Sequence, residues 1–439
     1  MKSCWRKGIR RNDSAPRTRT TGVISCSGRA RDPRETKPAL DTPRPDLKTR
    51  VAFVNSGILG HRSVARLIRE AVESEPALEA THIDLSEGLT IYDRIVRRLL
   101  CAGFRGSPNS RVAQLTLGRW RAEWHSGLLA ARRLRRIEAA TGGWDVLHFH
   151  PQATAYASLR RMRRTPAVVS LDCTQRQASL EVPSAWGRRS FGPGIRHDGA
   201  VYRAAAEIIA TSRWAADDLA RCHPECAAKL QTLPYPVRLT AFDPGWAAER
   251  RDRATRPGGM VRALFMGGDF PRKGGPELLR AWQAGGFAER ATLMLVTNWP
   301  LAAEAVPRGV DVRRNIAPYT PEWYACWREA DLFVMPTLGE AFGMVYQEAG
   351  AASLPSIGTR LNAIPEIIEE GRAGLLVTPG VEGELVNALE RLIDSAELRQ
   401  SMGEAARTRM ERVARPEDYA SRLIGTLFRA CGRTLTTTA

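Results

Sequence analysis

Three observations predict an α/β fold with two doubly wound domains, each built on a parallel sheet. The chain is 439 residues long, too long for one ordinary hydrophobic core. Short apolar runs alternate with helical patterns on both sides of its middle. A polar stretch after Phe242-Asp-Pro244 divides the two halves.

Residues 1–47 mix Arg6, Arg10, Arg11, Arg17 and Arg19 with Ser, Thr and Pro and offer almost nothing to bury, so they read as a disordered basic tail outside the fold. The first domain is expected over 48–243. It opens on the strand Val51-Ala-Phe-Val-Asn55, closed by Ser56-Gly57-Ile58-Leu59-Gly60 and followed by a helix over Ser63–Glu73. Gly57 and Gly60 would let backbone approach a phosphate or sugar, and equally suit a plain strand-to-helix turn. Further strands are expected at Asp145–Phe149, Ala167–Leu171 and Glu207–Thr211. Residues 244–259, rich in Arg and acidic side chains, read as a linker. The second domain, 260–412, repeats the rhythm: strands Val261–Met266, Thr292–Thr297 and Asp331–Met335, helices Gly275–Gln283 and Met344–Ala352. Residues 413–439 remain for a C-terminal helix and tail. In such sheets ligands sit beyond the carboxyl ends of the strands, which points to a cleft between the domains.

Composition narrows the function. A net charge of +18 invites a nucleic-acid reading, but no helix-turn-helix, zinc-finger or RNA-binding signature accompanies it, and no nucleic-acid partner is expected. The surplus suits a phosphate-bearing substrate or an anionic membrane surface. Eight scattered cysteines without a regular framework, and no apolar stretch long enough to cross a bilayer, suggest a reduced, cytoplasmic protein. Cys222, His223 and Cys226 lack a second ligand pair downstream and read as helix surface; no metal site is expected.

Two stretches carry chemistry. In Asp331-Leu-Phe-Val-Met-Pro-Thr-Leu-Gly-Glu-Ala-Phe-Gly-Met-Val-Tyr-Gln-Glu-Ala-Gly350 a buried strand ends at Pro336, a loop presents Glu340, and Gly343 opens a helix bearing Glu348. Amides of Gly343, Met344 and Val345 at that helix start carry partial positive charge and can bind a diphosphate. Spacing separates the two carboxylates, so each is read as a hydroxyl ligand rather than as half of an acid–base pair; capping an ordinary helix is the plainer alternative. In Leu264-Phe-Met-Gly-Gly-Asp-Phe-Pro-Arg-Lys-Gly-Gly275 a second strand runs into a glycine-rich loop holding Arg272 and Lys273. Cations fixed there would stabilise charge growing on a departing diphosphate.

Together these stretches resemble the GT-B-fold retaining glycosyltransferases of family 4 (glycosyl transferases group 1). The Glu340/Glu348 pair matches the family signature, Lys273-Gly274 its diphosphate-binding lysine, and Leu361-Asn-Ala-Ile-Pro-Glu366 with Gly374-Leu-Leu-Val377 the segment after the signature helix. The resemblance implies GT-B architecture, two Rossmann-like domains with parallel sheets facing a central cleft, and a C-terminal helix returning to the first domain. It implies a nucleoside-diphosphate sugar as donor substrate with no other cofactor, Glu340 on donor-sugar hydroxyls and Glu348 on the ribose. Asp145-Val-Leu-His-Phe-His150 is similar to the family's strand ending in cleft-facing histidines. That makes His150 a candidate sugar contact, with Asp172, at the end of the next strand, a candidate acceptor contact.

The chain departs from the pattern at Gly267-Gly268, where many members carry an arginine, and Arg272 is the candidate replacement. It departs again at Tyr235-Pro-Val-Arg238, which replaces an Asn-Gly-Val-Asp turn. The expected reaction is metal-independent transfer to an acceptor hydroxyl with anomeric retention, since no Asp-x-Asp pair sits on a loop. A glycan, lipid-linked or small-molecule acceptor fits. Arginines between Arg94 and Arg136, among Leu, Trp and Ile, suggest peripheral membrane contact or simply a charged solvent face. The alternatives in function are a non-catalytic nucleotide-sugar or glycan-binding protein on the same fold, and a phosphate-processing enzyme such as an epimerase.

Overall fold

Strands buried on both faces form where apolar residues run without alternation, and Val51 to Val54 are almost wholly shielded from solvent. The computed structural model describes residues 48–57, 60–101, 117–254 and 259–433. The expected basic tail, 1–47, and residues 102–116 of the arginine-rich region, Arg105 included, lie outside the described residues.

Two six-stranded, all-parallel sheets organise the chain. The first has the order β2-β1-β3-β4-β5-β6, with β1 Thr49–Asn55, β2 Leu78–Asp84, β3 Val146–His150, β4 Ala167–Leu171, β5 Glu207–Ala210 and β6 Leu230–Thr232. The second runs β12-β11-β10-β7-β8-β9, with β7 Val261–Met266, β8 Ala291–Val296, β9 Val310–Arg313, β10 Leu332–Val334, β11 Ser356–Thr359 and β12 Gly374–Val377. Both belong to one compact unit, Asp46–Ala439. The helices that matter below are α1 His61–Glu73, α2 Ile91–Cys101, α3 Gly118–Thr141, α4 Arg213–Cys222, α5 Gly245–Ala254, α6 Gly275–Ala284, α7 Met344–Ala351, α8 Ala396–Val413 and α9 Pro416–Ala430.

Strand order explains where a ligand can sit. In the first sheet the chain leaves β1 for β2 on one side and reaches β3 on the other, so a crevice opens where Asn55 pairs with His150. In the second, β7 lies between β8 and β10, which brings the loop after β7 beside the loop after β10. The α/β, two-sheet, GT-B-like fold read from the sequence is the fold observed.

The C-terminal helix returns to the first sheet as expected. Gln231 donates to the Thr426 hydroxyl of α9 at 2.6 Å, Arg422 to the Thr232 carbonyl at 2.7 Å, and Arg433 to the Thr49 hydroxyl at 2.7 Å.

Three readings need correction. The stretch expected as a polar linker forms α5, and Arg250 within it is buried, donating to the carbonyls of Ala352 at 2.7 Å and Trp327 at 3.2 Å. Its charge is satisfied by backbone of the second domain rather than by solvent. Cys226 is fully buried, not surface, although Cys222 is exposed. The arginine-rich region is also partly structural: Arg133 of α3 donates to the carbonyls of Asp84 and Glu87, and Arg119 pairs with Glu123 at 3.0 Å.

Candidate functional site

Gly274 makes the centre of the site possible. It adopts φ +76°, and a Cβ there would lie 1.9 Å from the Pro336 carbonyl oxygen, so only glycine lets the loop after β7 press against the end of β10. Hydrogen bonds then stitch the loops together. Leu338 N–H and the Thr337 hydroxyl donate to the Arg272 carbonyl at 2.8 and 3.1 Å, and Arg272 itself donates to the Gly339 carbonyl and to Asp269. This brings Lys273 and Glu340, 67 residues apart in sequence, into a direct ion pair.

Burial and the neighbouring Arg272 push the Lys273 ammonium down to about 7. The Asp269 carboxylate acts the opposite way and favours the charged form. Arg272 is half-exposed and already tied to Asp269 and Gly339, so it braces the loop on which Lys273 sits.

Gly343, at φ +93°, turns the chain into α7, and the first-turn amides of Met344 and Val345 have no carbonyl partner inside that helix. Glu348 follows one turn later. Burial raises its carboxyl to about 8, while the Tyr319 hydroxyl, donating at 3.1 Å, pulls it back. Tyr319 is a site residue that no sequence pattern announced. Its φ is +67°, and the guanidinium groups of Arg66 and Arg238 lie over its ring, 5.2 and 5.1 Å from the centre. Beside this corner a cavity of about 220 Å³ is lined by Gly267, Gly268, Thr297, Asn298, Arg313 and Trp323, at the carboxyl ends of β7, β8 and β9.

Across the cleft, His150 ends β3. Its Nδ1 lies 3.0 Å from the Ser170 hydroxyl and its Nε2 3.2 Å from the Tyr235 hydroxyl. Burial and the nearby His61 push its pKa down to about 3, so it is neutral at pH 7 and acts as a hydrogen-bonding group. Asp172 pairs with His61 at 3.5 Å, and Ser56 bonds the other nitrogen of that ring at 2.7 Å. Burial works to raise Asp172, but His61 and His150 hold its carboxyl well below the usual range. His61, Tyr235 and Tyr319 are the residues that sequence reasoning missed; a cleft-facing first turn after Gly60 was the one available signal for His61.

His61, His150 and Asp172 bring ligand-type atoms within 4.8 Å of one another, the one such trio among the described residues. Both His150 nitrogens already face protein hydroxyls, so the trio reads as a hydrogen-bonded polar cluster. Gly57 N–H donates to Asn55 and its carbonyl accepts from Arg62, while Gly60 precedes α1 with open space beside it.

Signature residues also join the two sheets. Gln347 donates to the Tyr235 carbonyl at 2.8 Å, and Phe342 packs edge-on against the Tyr235 ring, 5.2 Å away, which packs in turn against His150 at 5.9 Å. Glu366 accepts from the amides of Arg213 and Trp214, capping α4 from the other domain at 2.8 and 2.6 Å. The replaced Tyr235–Arg238 turn therefore keeps interdomain contacts of its own through Tyr235, while Arg238 pairs with Glu70 of α1 inside the first domain.

The family model for glycosyl transferases group 1 matches residues 261–395. The chain is 28% identical over 298 residues to D-inositol 3-phosphate glycosyltransferase from Arthrobacter sp. (strain FB24), covering 64% of this chain and 70% of that one. It is 26% identical over 386 residues to the protein of the same name from Streptomyces avermitilis, covering 82% and 76%. Among solved structures it shares the fold of sucrose-phosphate synthase from Thermosynechococcus elongatus, with a TM-score of 0.63, 17% identity, and 87% and 98% of the two chains covered. It also shares that of HepE from Anabaena in complex with UDP-glucose, with a TM-score of 0.59, 15% identity, and 87% and 99% covered.

Proposed function

We propose that this chain, a group 1 glycosyltransferase on the GT-B fold, moves a sugar from a nucleoside-diphosphate sugar to an acceptor hydroxyl with retention of configuration and without a metal ion. The observation that carries the reading is the Lys273–Glu340 pair beside the start of α7, with His150 facing it from the first sheet across Tyr235 and Phe342.

A diphosphate arriving at the Met344 and Val345 amides would compete for the Lys273 ammonium and release the Glu340 carboxylate to donor-sugar hydroxyls. Glu348 would take the ribose hydroxyls, with the nucleobase in the cavity lined by Gly267 and Trp323. HepE, on the same fold, binds UDP-glucose, which supports a donor of this class. Negative charge growing on the leaving oxygen is met by Lys273 and the helix amides, the role a metal plays elsewhere, and this supports metal independence. The acceptor hydroxyl then attacks from the face the diphosphate leaves, handing its proton to the departing phosphate oxygen, so the anomeric configuration is kept. His150 and Asp172 face that region from the first domain, His150 neutral and Asp172 ionised.

Our reading of its location is cytoplasmic, with peripheral contact at the inner face of the membrane. No helix among the described residues is long and apolar enough to cross a membrane. One face of α2, however, carries Ile91, Tyr92, Ile95 and Leu99, each between 53% and 76% exposed, beside Arg94, Arg97 and Arg98. That pattern supports shallow contact with anionic lipid.

Saturation-transfer NMR with UDP-, GDP- and ADP-sugars tests the donor site. Signal from one nucleotide class, lost in Lys273→Ala and weakened in Glu340→Gln, is expected; no signal from any donor would refute the transferase reading.

A further inference from the structure

Thr320-Pro321-Glu322 starts a helix, Pro321–Glu329, whose first turn is closed by the Thr320 hydroxyl accepting from the Trp323 amide at 3.4 Å. Tyr319, one residue before that cap, is left outside the helix and packs back on it, its ring 5.0 Å from the Trp323 ring. It does so at φ +67°, a conformation that a bulky side chain rarely adopts and that persists only where surrounding contacts hold it. Those contacts come from the other domain. The guanidinium groups of Arg66 and Arg238 lie over the ring, Ser63 of α1 is a hydrogen-bonding neighbour of its oxygen, and Glu70 of α1 fixes Arg238.

The hydroxyl held in this way donates to one oxygen of Glu348, Oε1, at 3.1 Å. On that side the carboxyl is closed in, since the gap lined by Tyr319, Arg238, Gln347 and Glu348 measures about 10 Å³, the room of a single water. A ribose does not fit there and has to meet the second oxygen, Oε2. Trp323, against which Tyr319 packs, lines the cavity of about 220 Å³ at the ends of β7, β8 and β9, so Tyr319 touches both a wall of that cavity and Glu348.

Tyr319 also keeps the carboxyl ionisable. Burial pushes Glu348 up to about 8, and the Tyr319 hydroxyl acts the other way. The other charged side chains around α7 are engaged elsewhere. Lys273 and Glu340 pair with each other, Arg238 pairs with Glu70, and Glu366 accepts from the amides of α4. Arg407 of α8 and Arg250 of α5 donate to the carbonyls of Ala351 and Ala352, at the far end of the helix.

We infer that Tyr319 is a positioning residue of the donor site: braced by Ser63, Arg66 and Arg238 of the first domain, its hydroxyl fixes one oxygen of Glu348 and leaves the other for the ribose of the nucleotide. Through it, the ribose site in the second domain depends on α1 of the first. The ribose role rests on the transferase reading; the hold on the carboxyl does not.

Tyr319→Phe keeps the ring and removes the hydroxyl, and two titrations are followed in wild type and variant. The first is that of the Glu348 carboxyl by carbon-13 NMR, its signal identified by its loss in Glu348→Gln. The second is the affinity for UDP, GDP or ADP, whichever binds most tightly, divided by that for its 2′,3′-dideoxy counterpart, a ratio in which the titrations of Lys273 and of the phosphates cancel. In the wild type the carboxyl titrates near 8 and the ratio rises through the same pH, because a charged acceptor binds ribose hydroxyls more strongly. In Tyr319→Phe both midpoints are expected at least about one pH unit higher, since a hydrogen bond to the charged form shifts its ionisation about tenfold. A carboxyl titration that does not move overturns the hold on Glu348. A ratio that drops equally at every pH, or does not change, overturns the link to the ribose. No binding of any of the three nucleotides to the wild type sinks the donor reading and the ribose role with it, while the carboxyl titration still decides whether Tyr319 holds Glu348.

Discussion

Replacing Glu348 with glutamine should stabilise the protein while weakening its hold on the donor. Burial moves this carboxyl from its ordinary value of 4.5 to about 8. That difference corresponds to roughly 5 kcal/mol of preference for the protonated form. Glu348 retains some solvent contact, and screening leaves about 2 kcal/mol as a working figure. In the unfolded chain the carboxyl ionises above 4.5, whereas the folded protein keeps its proton until about 8. Between those values the folded state binds more protons, so stability falls as pH rises through the window and levels beyond it. Glutamine matches the neutral acid in shape and does not titrate. Glu348→Gln should therefore match the wild type near pH 4.5 and exceed it by about 2 kcal/mol at pH 8, a rise of roughly 2–3 °C in Tm for a chain of this size. Scanning calorimetry at pH 5 and pH 8 reads the difference directly. Above pH 8, where the wild-type carboxyl is ionised, affinity for the nucleoside diphosphate should fall about tenfold in the same variant, since the ribose loses a charged acceptor. A Tm difference that is the same at both pH values would refute the buried-carboxyl argument.

Two further outcomes follow from the geometry. Glu366→Ala removes the acceptor of the Arg213 and Trp214 amides; it should cost about 1–2 kcal/mol and speed hydrogen exchange in the first turn of α4, and unchanged exchange there would contradict the cross-domain cap. Ile95→Asp with Leu99→Asp places two charges on the exposed face of α2 and should lower sedimentation with phosphatidylglycerol vesicles at least about tenfold. Equal sedimentation of the variant, or wild-type binding to phosphatidylcholine alone, would remove the membrane reading.

Strands β4 and β7 were legible residue for residue, because strands covered on both faces are written as unbroken apolar runs. Edge strands were not. In β2, Leu78-Glu-Ala-Thr-His-Ile-Asp84, and in β9, Val310-Asp-Val-Arg313, polar side chains face solvent and the apolar signal is diluted. Helix α5 hid for a related reason: its arginine and acidic content reads as solvent-loving, and only the carbonyls of Trp327 and Ala352, brought up by folding, give Arg250 a buried place.

By itself the sequence determined which chemistries are available: a lysine on a glycine loop, two carboxylates around a helix start, and histidines at a strand end. Each is a local pattern, and local patterns are set by neighbours along the chain. Tertiary structure alone decided which of them meet. Contact of Gly274 with Pro336 makes Lys273 and Glu340 a pair, Tyr319 reaches Glu348 while its ring meets Arg66 and Arg238, and Asp172 finds His61 from more than a hundred residues away. Arg62, Arg66 and Arg69 of α1 show the same division: they fall on one helical stripe, which the sequence reading did not single out, and that the stripe overhangs an open cavity rather than bulk solvent depends on how α1 packs against β1 and β2. Packing between distant segments is a property of the assembled core, and no stretch of chain carries it alone.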